Sequence, residues 1–176
     1  MEEIVTIVDR RNRVIGSAPR SQMRADGLCH RATYILVFDR DGRLFVHKRT
    51  PTKDIYPGYL DIAVGGVVMD GETYDQSAGR ELEEELGIKA THLEPRFDFY
   101  YHHENNRVWG RVYRCIWNGP IVLQKEEIES GDFYRVQEIM AMRSHKYFTP
   151  DGMVVLQRFL EMENGRKHTS LQKHSG

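Results

Sequence analysis

The chain has 176 residues, of which 40% are hydrophobic and 29% charged, and its formal net charge is −1. That length and balance suit one globular domain with a sizeable core. They leave no global basic field for a nucleic acid polymer or an anionic membrane, and no apolar run reaches the length of a membrane span.

The start, Met1 to Thr6, has neither the basic region nor the long apolar core of a signal peptide. Cys29 and Cys115 are too few for a disulfide framework, and neither lies in a CxxC pair. These features predict a reduced, cytoplasmic protein whose cysteines are small buried hydrophobes.

Ile4 to Val8 is a β-branched run, followed by a turn at Asp9–Asn12 and by Val14-Ile15, so an N-terminal β-hairpin is predicted. Ser21 to Asp26 reads as a short helix with Ser21 as its cap and Gly27 as its stop. Thr33–Phe38, Asp39–Gly42 and Leu44–His47 predict a second hairpin. Thr50 to Gly58, with Pro51 and Pro57, is a loop. Leu60 to Met69 reads as a strand broken at Gly65-Gly66. Thr73 to Leu86 is a helix, preceded by the Asp70-Gly71 turn and ended by Gly87 as a C′ glycine. Phe97–His102 and Val108–Trp117 alternate as strands around Glu104–Asn106. Residues 135–143 and 150–162 carry helical periodicity. The last of these packs on the core through Val154, Val155, Phe159 and Met162. The domain is expected to span 1–162, and 163–176 to be a disordered tail. Strands, a helix, then more strands and helices suggest a layered α/β fold rather than a regular parallel array.

Residues 66–88 carry the chemistry. Glu81, Glu84 and Glu85 recur at helical spacing and share one face, while Glu83 sits largely round the side. Like charges that close repel, so the helix gains nothing from them unaided. A hard divalent cation resolves the conflict, because Mg²⁺ takes carboxylate oxygens and pairs them with substrate phosphates.

The segment resembles the signature of the Nudix hydrolase family. Gly66, Glu72, Arg80, Glu81, Leu82, Glu84, Glu85, Gly87 and Ile88 match that signature at each of its fixed positions. Nine constrained positions over 23 residues make a specific signal. A solvated acidic helix face would explain neither Gly66, Glu72 nor Arg80. The resemblance implies an α-β-α sandwich around a mixed β-sheet. It also implies hydrolysis of a diphosphate bond, typically in a nucleoside diphosphate linked to another group. Mg²⁺ (or Mn²⁺) would be held by Glu81, Glu84 and Glu85. The catalytic set would be Glu84, Arg80 and a glutamate from outside the box. Arg80 with Glu72 also reads as a structural pair that orients Glu81. Gly66 would let the backbone come close to the helix or the ligand. Glu127, in the run Lys125–Glu129, is the candidate base, although that run reads equally as a solvated face.

Upstream, His30, Lys48-Arg49, Lys53 and Tyr56–Leu60 resemble the branch that includes isopentenyl-diphosphate isomerase. There the positions of Arg49 and Lys53 contact the diphosphate, a task that an Arg fork and a Lys point charge suit. The isomerase's catalytic cysteine falls at Gly65, and one of its metal-binding histidines at Val67. His30 matches another metal-ligand position, but without those partners it reads as a structural or substrate-side histidine. Tyr100 to His103 and Trp109 could stack a nucleobase, or belong to the core. The partner is thus a small diphosphate, for a monomer or homodimer. Two alternatives stand beside the hydrolase: an isomerase-like enzyme and a non-catalytic nucleotide-binding module.

Overall fold

The computed structural model describes residues 1–89 and 92–173. Among these residues the elements run β1 (Ile4–Val8), β2 (Val14–Pro19), α1 (Arg20–Ala25), β3 (His30–Phe38), β4 (Leu44–Arg49), β5 (Leu60–Asp61) and α2 (Tyr74–Leu86). They continue β6 (Glu94–His103), β7 (Asn106–Ile116), β8 (Ile128–Tyr134), α3 (Val136–Met142) and α4 (Pro150–Lys173). No described helix is long and apolar enough to cross a membrane.

Successive side chains of a strand point to opposite faces, and β3 uses both. Its Ile35 and Val37 pack with Val64, Val68, Leu82 and Leu86, so α2 covers that face. Its Leu36 and Phe38 pack with Ile62, Ile139, Val155 and Phe159, so α3 and α4 cover the other. The result is the expected α-β-α sandwich around a mixed sheet. A third cluster, Val5, Ile7, Ala18, Met23 and Val67, joins the N-terminal hairpin and α1 to the glycine segment.

The second hairpin is shorter than expected. The Asp39–Gly42 turn joins β3 to β4, but the two strands pair only at Phe38↔Leu44. Beyond that they part. β3 runs parallel to β7 from His30↔Val108 to Phe38↔Ile116, and β4 pairs with β8. Residues 64–68 fill the gap. Ile35 N–H donates to Val64 O at 2.7 Å, and Thr33 N–H to Gly66 O at 2.9 Å. The reason is burial: β3 is covered on both faces and must also satisfy its backbone groups on both edges. The broken strand expected at 60–69 is therefore β5 followed by isolated bridges at Val64, Val67 and Met69.

Helix α2 begins and ends where its sequence signals lie. Thr73 Oγ1 accepts from Gln76 N–H, and Gln76 Oε1 accepts from Thr73 N–H at 2.9 Å, a reciprocal capping box. Gly87 ends the helix in the left-handed region at φ 65°. Helix α1 differs from its expected start. Pro19 is its N-cap, with no side-chain cap. The Ser21 N–H instead donates to Glu2 Oε1 at 2.9 Å, so a glutamate from the N-terminal arm does the work assigned to Ser21. Helix α4 runs through Lys173, past the expected start of a disordered tail at Glu163. Glu163 itself is held by Arg96, which also lies over the Phe159 ring. Residues 174–176 lie outside the described residues.

Candidate active site

Three segments meet at one cleft of about 190 Å³: the glutamate face of α2, the glycine segment, and the loop 50–58 with its neighbour 124–127. The two loops are tied by backbone. Thr50 N–H donates to Glu127 O at 3.1 Å and Thr50 Oγ1 to Glu126 O at 3.0 Å. Glu81, Glu84, Glu85, Glu127, Arg49 and Lys53 all line this cleft. The structure thus brings together every sequence-predicted site residue except Arg80, which is absent from the lining.

Arg80 holds the glutamates in place. Its Nε and Nη2 donate to Glu72 Oε1 and Oε2 at 2.8 and 3.0 Å, a bidentate fork. Its Nη1 reaches Glu81 Oε1 at 2.7 Å and Glu84 Oε2 at 3.1 Å. Glu72 Oε2 also accepts from Met69 N–H at 3.1 Å, which fixes the turn before α2. The Arg80 hydrogen bonds hold the Glu72 carboxyl below its usual range, and Glu72 raises Arg80 further. The expected structural pairing of Arg80 with Glu72, and the orientation of Glu81 by Arg80, are both present in the geometry.

The α2 carboxylates differ in environment. Burial pushes Glu81 up, against the pull of Arg80. Glu85, 7% exposed, is pushed up to about 8 by burial and then by the Glu81 charge, with Lys53 opposing. Glu84 has about half its side chain exposed and reaches over the rim.

Among the described residues no three carboxylate, histidine or cysteine groups converge in metal-binding geometry. Arg80 donates to both Glu81 and Glu84 in the free protein. The donor chemistry still fits a hard divalent cation. Glu81, Glu84 and Glu85 offer only oxygen ligands, and a dication relieves both the burial and the Glu81 repulsion that raise Glu85.

The basic wall is ordered as well. Arg49 Nε and Nη2 donate to Ile55 O at 3.2 and 2.9 Å, and Nη1 lies 3.6 Å from Asp61 Oδ2. Lys53 forms an ion pair with Glu127 inside the cleft. Burial, followed by the Arg49 charge, lowers the Lys53 pKa, while Glu85 raises it. His30 lines the cleft at 3% exposure, and its Nδ1–H donates to Leu28 O at 3.1 Å. Burial and the Arg24 charge lower it to about 4, so it stays neutral, as a structural histidine would.

Two features depart from the sequence reading. The Tyr100 and Trp109 rings lie 5.6 Å apart between centroids, tilted at 48°, and neither lines the cleft. They are half-buried cross-strand partners on β6 and β7, and they pack on one another outside the cleft. Conversely, Arg20, Arg24, Tyr34, Asp61 and Asp151 line the cleft without having been singled out. Arg20 and Arg24 lie four apart on α1, but the helix candidate read from the sequence began at Ser21 and left Arg20 outside it.

The sandwich, the capped helix and the glutamate box it presents to a cleft that also holds Arg49 and Lys53 define a hydrolase of phosphorus-containing acid anhydrides. The chain belongs to the Nudix hydrolase family: the NUDIX domain pattern matches residues 29–155. An uncharacterised Nudix hydrolase of Yersinia pestis is 46% identical over 162 residues, covering 92% of this chain and 88% of its own. YfcD of Escherichia coli K12, also an uncharacterised Nudix hydrolase, is 45% identical over 154 residues, covering 88% of this chain and 84% of its own. Among solved structures, DR0079 from Deinococcus radiodurans aligns with a TM-score of 0.76 at 24% identity, covering 89% of this chain and 98% of that one. The NUDIX domain of Shewanella oneidensis NrtR, solved with ADP ribose, aligns at 0.63 and 11% identity, covering 82% and 99%. These two structures share the fold.

Proposed function

We propose that this chain hydrolyses a diphosphate bond, in a nucleoside diphosphate linked to another group, with Mg²⁺ (or Mn²⁺) held by Glu81, Glu84 and Glu85. The observation that carries the reading is the meeting of three α2 glutamates with Arg49 and Lys53 in one cleft. A bound dication supplies charge neutralisation and a water of lowered pKa. The chain's own residues do the rest. Arg49 and Lys53 bind oxygens of the diphosphate, whose charge they complement. Arg80 keeps Glu81 and Glu84 aligned from outside the cleft. Glu127 is tethered to Lys53 in the free protein. Phosphate oxygens compete for that lysine and leave the Glu127 carboxylate free to take a proton from the attacking water. The substrate is a small molecule, and the unbridged Cys29 and Cys115 suit a reducing cytoplasm.

The retained glutamates favour this reading over a non-catalytic module. The test is phosphate or nucleotide release from a panel of nucleoside diphosphates, nucleotide sugars and dinucleoside polyphosphates, with Mg²⁺, Mn²⁺ or chelator. Metal-dependent cleavage of at least one panel member is expected. Cleavage of none, at any metal concentration, sinks the proposal.

A further inference from the structure

The cleft has a second acidic wall, remote in sequence from the α2 glutamates. Asp61, at the end of β5, and Asp151, in the first turn of α4, both line it. The two elements are joined directly. Leu60 N–H donates to Tyr147 O and Thr149 N–H to Leu60 O, each at 2.9 Å. Asp61 accepts from Ala63 N–H at 3.2 Å and faces Arg49, and its side chain is 13% exposed. Asp151 Oδ2 accepts from Tyr34 Oη at 2.8 Å. Burial raises the pKa of both carboxyls, and Asp61 adds to the rise at Asp151.

Thr149 marks this wall as a place for a ligand. It lines the same cleft at 2% exposure, and its Oγ1 is buried with no hydrogen-bond partner. The hydroxyl lies near enough to Asp61 to oppose the rise of its pKa, yet its geometry falls short of a hydrogen bond. A buried hydroxyl without a partner is unfavourable, so such groups are retained where something binds them. Gly152 allows the oxygens to converge: a Cβ there would lie 2.4 Å from Thr149 Oγ1 and 2.8 Å from Asp61 Oδ1.

The chemistry of the occupant follows from the neighbours. A hydrocarbon end would strand two carboxylates and a hydroxyl out of water. An ammonium group would meet the Arg49 charge beside Asp61 and the Arg24 charge near Tyr34. Neutral hydroxyls meet neither objection. They donate to the carboxylates, each of which has about four acceptor positions, and accept from Thr149.

We propose that Asp61, Asp151 and Thr149 form a subsite for a hydroxyl-bearing, sugar-like group on one flank of the diphosphate. This inference rests on reading the cleft as a diphosphate site. The hydroxyls could belong to the ribose of the nucleoside or to a sugar on the far side.

The test uses uncleavable, methylene-bridged analogues, titrated by calorimetry against the full chain with Mg²⁺. One analogue carries ribose on both flanks, as in ADP-ribose. A second lacks the 2′ and 3′ hydroxyls on the adenosine side. A third replaces the far ribose by a pentyl chain. Wild type should bind one of the last two at least about tenfold more weakly than the first, the effect of one lost hydrogen bond to a charged acceptor. The weaker analogue identifies the flank. Asp151→Asn, and separately the shape-conserving Thr149→Val, should narrow that gap to about threefold or less. Equal binding of all three by wild type, or an undiminished gap in both variants, overturns the inference. Failure to bind any analogue overturns it together with the hydrolase reading. Discrimination without cleavage of the natural, oxygen-bridged compounds overturns the hydrolase reading alone.

Discussion

The Glu81 carboxylate rests directly on the backbone of Gly66. A Cβ at residue 66 would lie 2.5 Å from Glu81 Oε1. The glycine that opens the signature and the first glutamate of its helix are thus one packing unit. Arg80 donates to that same Glu81 oxygen at 2.7 Å.

Gly66→Ala should therefore act on Glu81. The added methyl must push the carboxylate aside or shift the segment that carries residue 66. Misplacement of a catalytic group by about 1 Å can lower a rate by about 10²-fold. A kcat loss of that order is expected, with KM changed far less and an unaltered circular dichroism spectrum. Turnover within twofold of wild type would show that the placement of Glu81 does not limit the reaction.

Arg80→Lys tests the clamp. A lysine keeps the charge but cannot make the bidentate fork to Glu72 and still reach Glu81 and Glu84. Loss of about 1–3 kcal/mol of stability is expected in urea unfolding, along with a lower kcat. Glu72→Gln should combine non-additively with it, because the two residues share one network. Additive effects would separate the pair.

Glu85→Gln separates stability from activity. The folded pKa of Glu85, about 8, lies above its ordinary value of 4.5. The unfolded chain thus gives up this proton first as pH rises. Stability from this site is complete below about pH 4.5 and is lost progressively as pH climbs toward 8. In chelator, the wild-type melting temperature should fall more steeply over that window than that of Glu85→Gln. With Mg²⁺, the variant should lose about 10²–10³ in rate, since a neutral amide replaces a charged ligand. Parallel melting curves across the window would contradict the buried-carboxylate account.

Much of this was legible in the sequence because it is local. The α2 capping box and the Gly87 stop lie within a few residues of what they cap, and the box glutamates fall on one face by spacing alone. The β3–β4 hairpin misled because turn chemistry reports only on the turn. It could not show that β3 finds its long partner in β7, over seventy residues away in sequence, or that residues 64–68 would wedge beside β3. The acidic wall was illegible for the same reason. Asp61 and Asp151 have no spacing relation, and they meet only because Leu60 bonds to the strap before α4. The aromatics of β6 and β7 stayed open between base platform and core, since composition does not tell which face of a sheet a cleft opens on.

Arg49→Ala should raise KM for a diphosphate substrate more than it lowers kcat, because contacts to a non-reacting phosphate persist in ground and transition states. The structure adds a second consequence. Arg49 also holds the loop 50–58 through Ile55 O. Arg49→Lys should therefore rescue KM only in part, since one ammonium cannot replace a fork engaged at both the loop and the cleft. Full rescue by lysine would reduce Arg49 to a simple charge.

Gly65→Cys should yield no isomerase, and the backbone explains why more directly than the missing metal ligand at Val67. Gly65 sits at φ 141°, a conformation L residues rarely adopt. A Cβ there would lie 2.1 Å from Thr33 O, closer than any real contact. That carbonyl belongs to β3, which is paired along its length with β7, so it cannot simply move away. The thiol can be housed only by moving residues 64–66, and Gly66 carries Glu81 with it. The variant should be destabilised by about 1–3 kcal/mol, the range for a strained backbone position. It should also lose hydrolase activity, because the glutamate box is disturbed. Proton transfer to an alkene needs the acid within hydrogen-bond reach of its target, and a displaced thiol has no such placement. The assay is isopentenyl diphosphate with Mg²⁺, followed for the rearranged alkene, alongside a thermal melt. A melt equal to wild type would show that the backbone at residue 65 accepts a side chain. Isomerase turnover above background would show that the divide from the isomerase is a matter of the thiol alone.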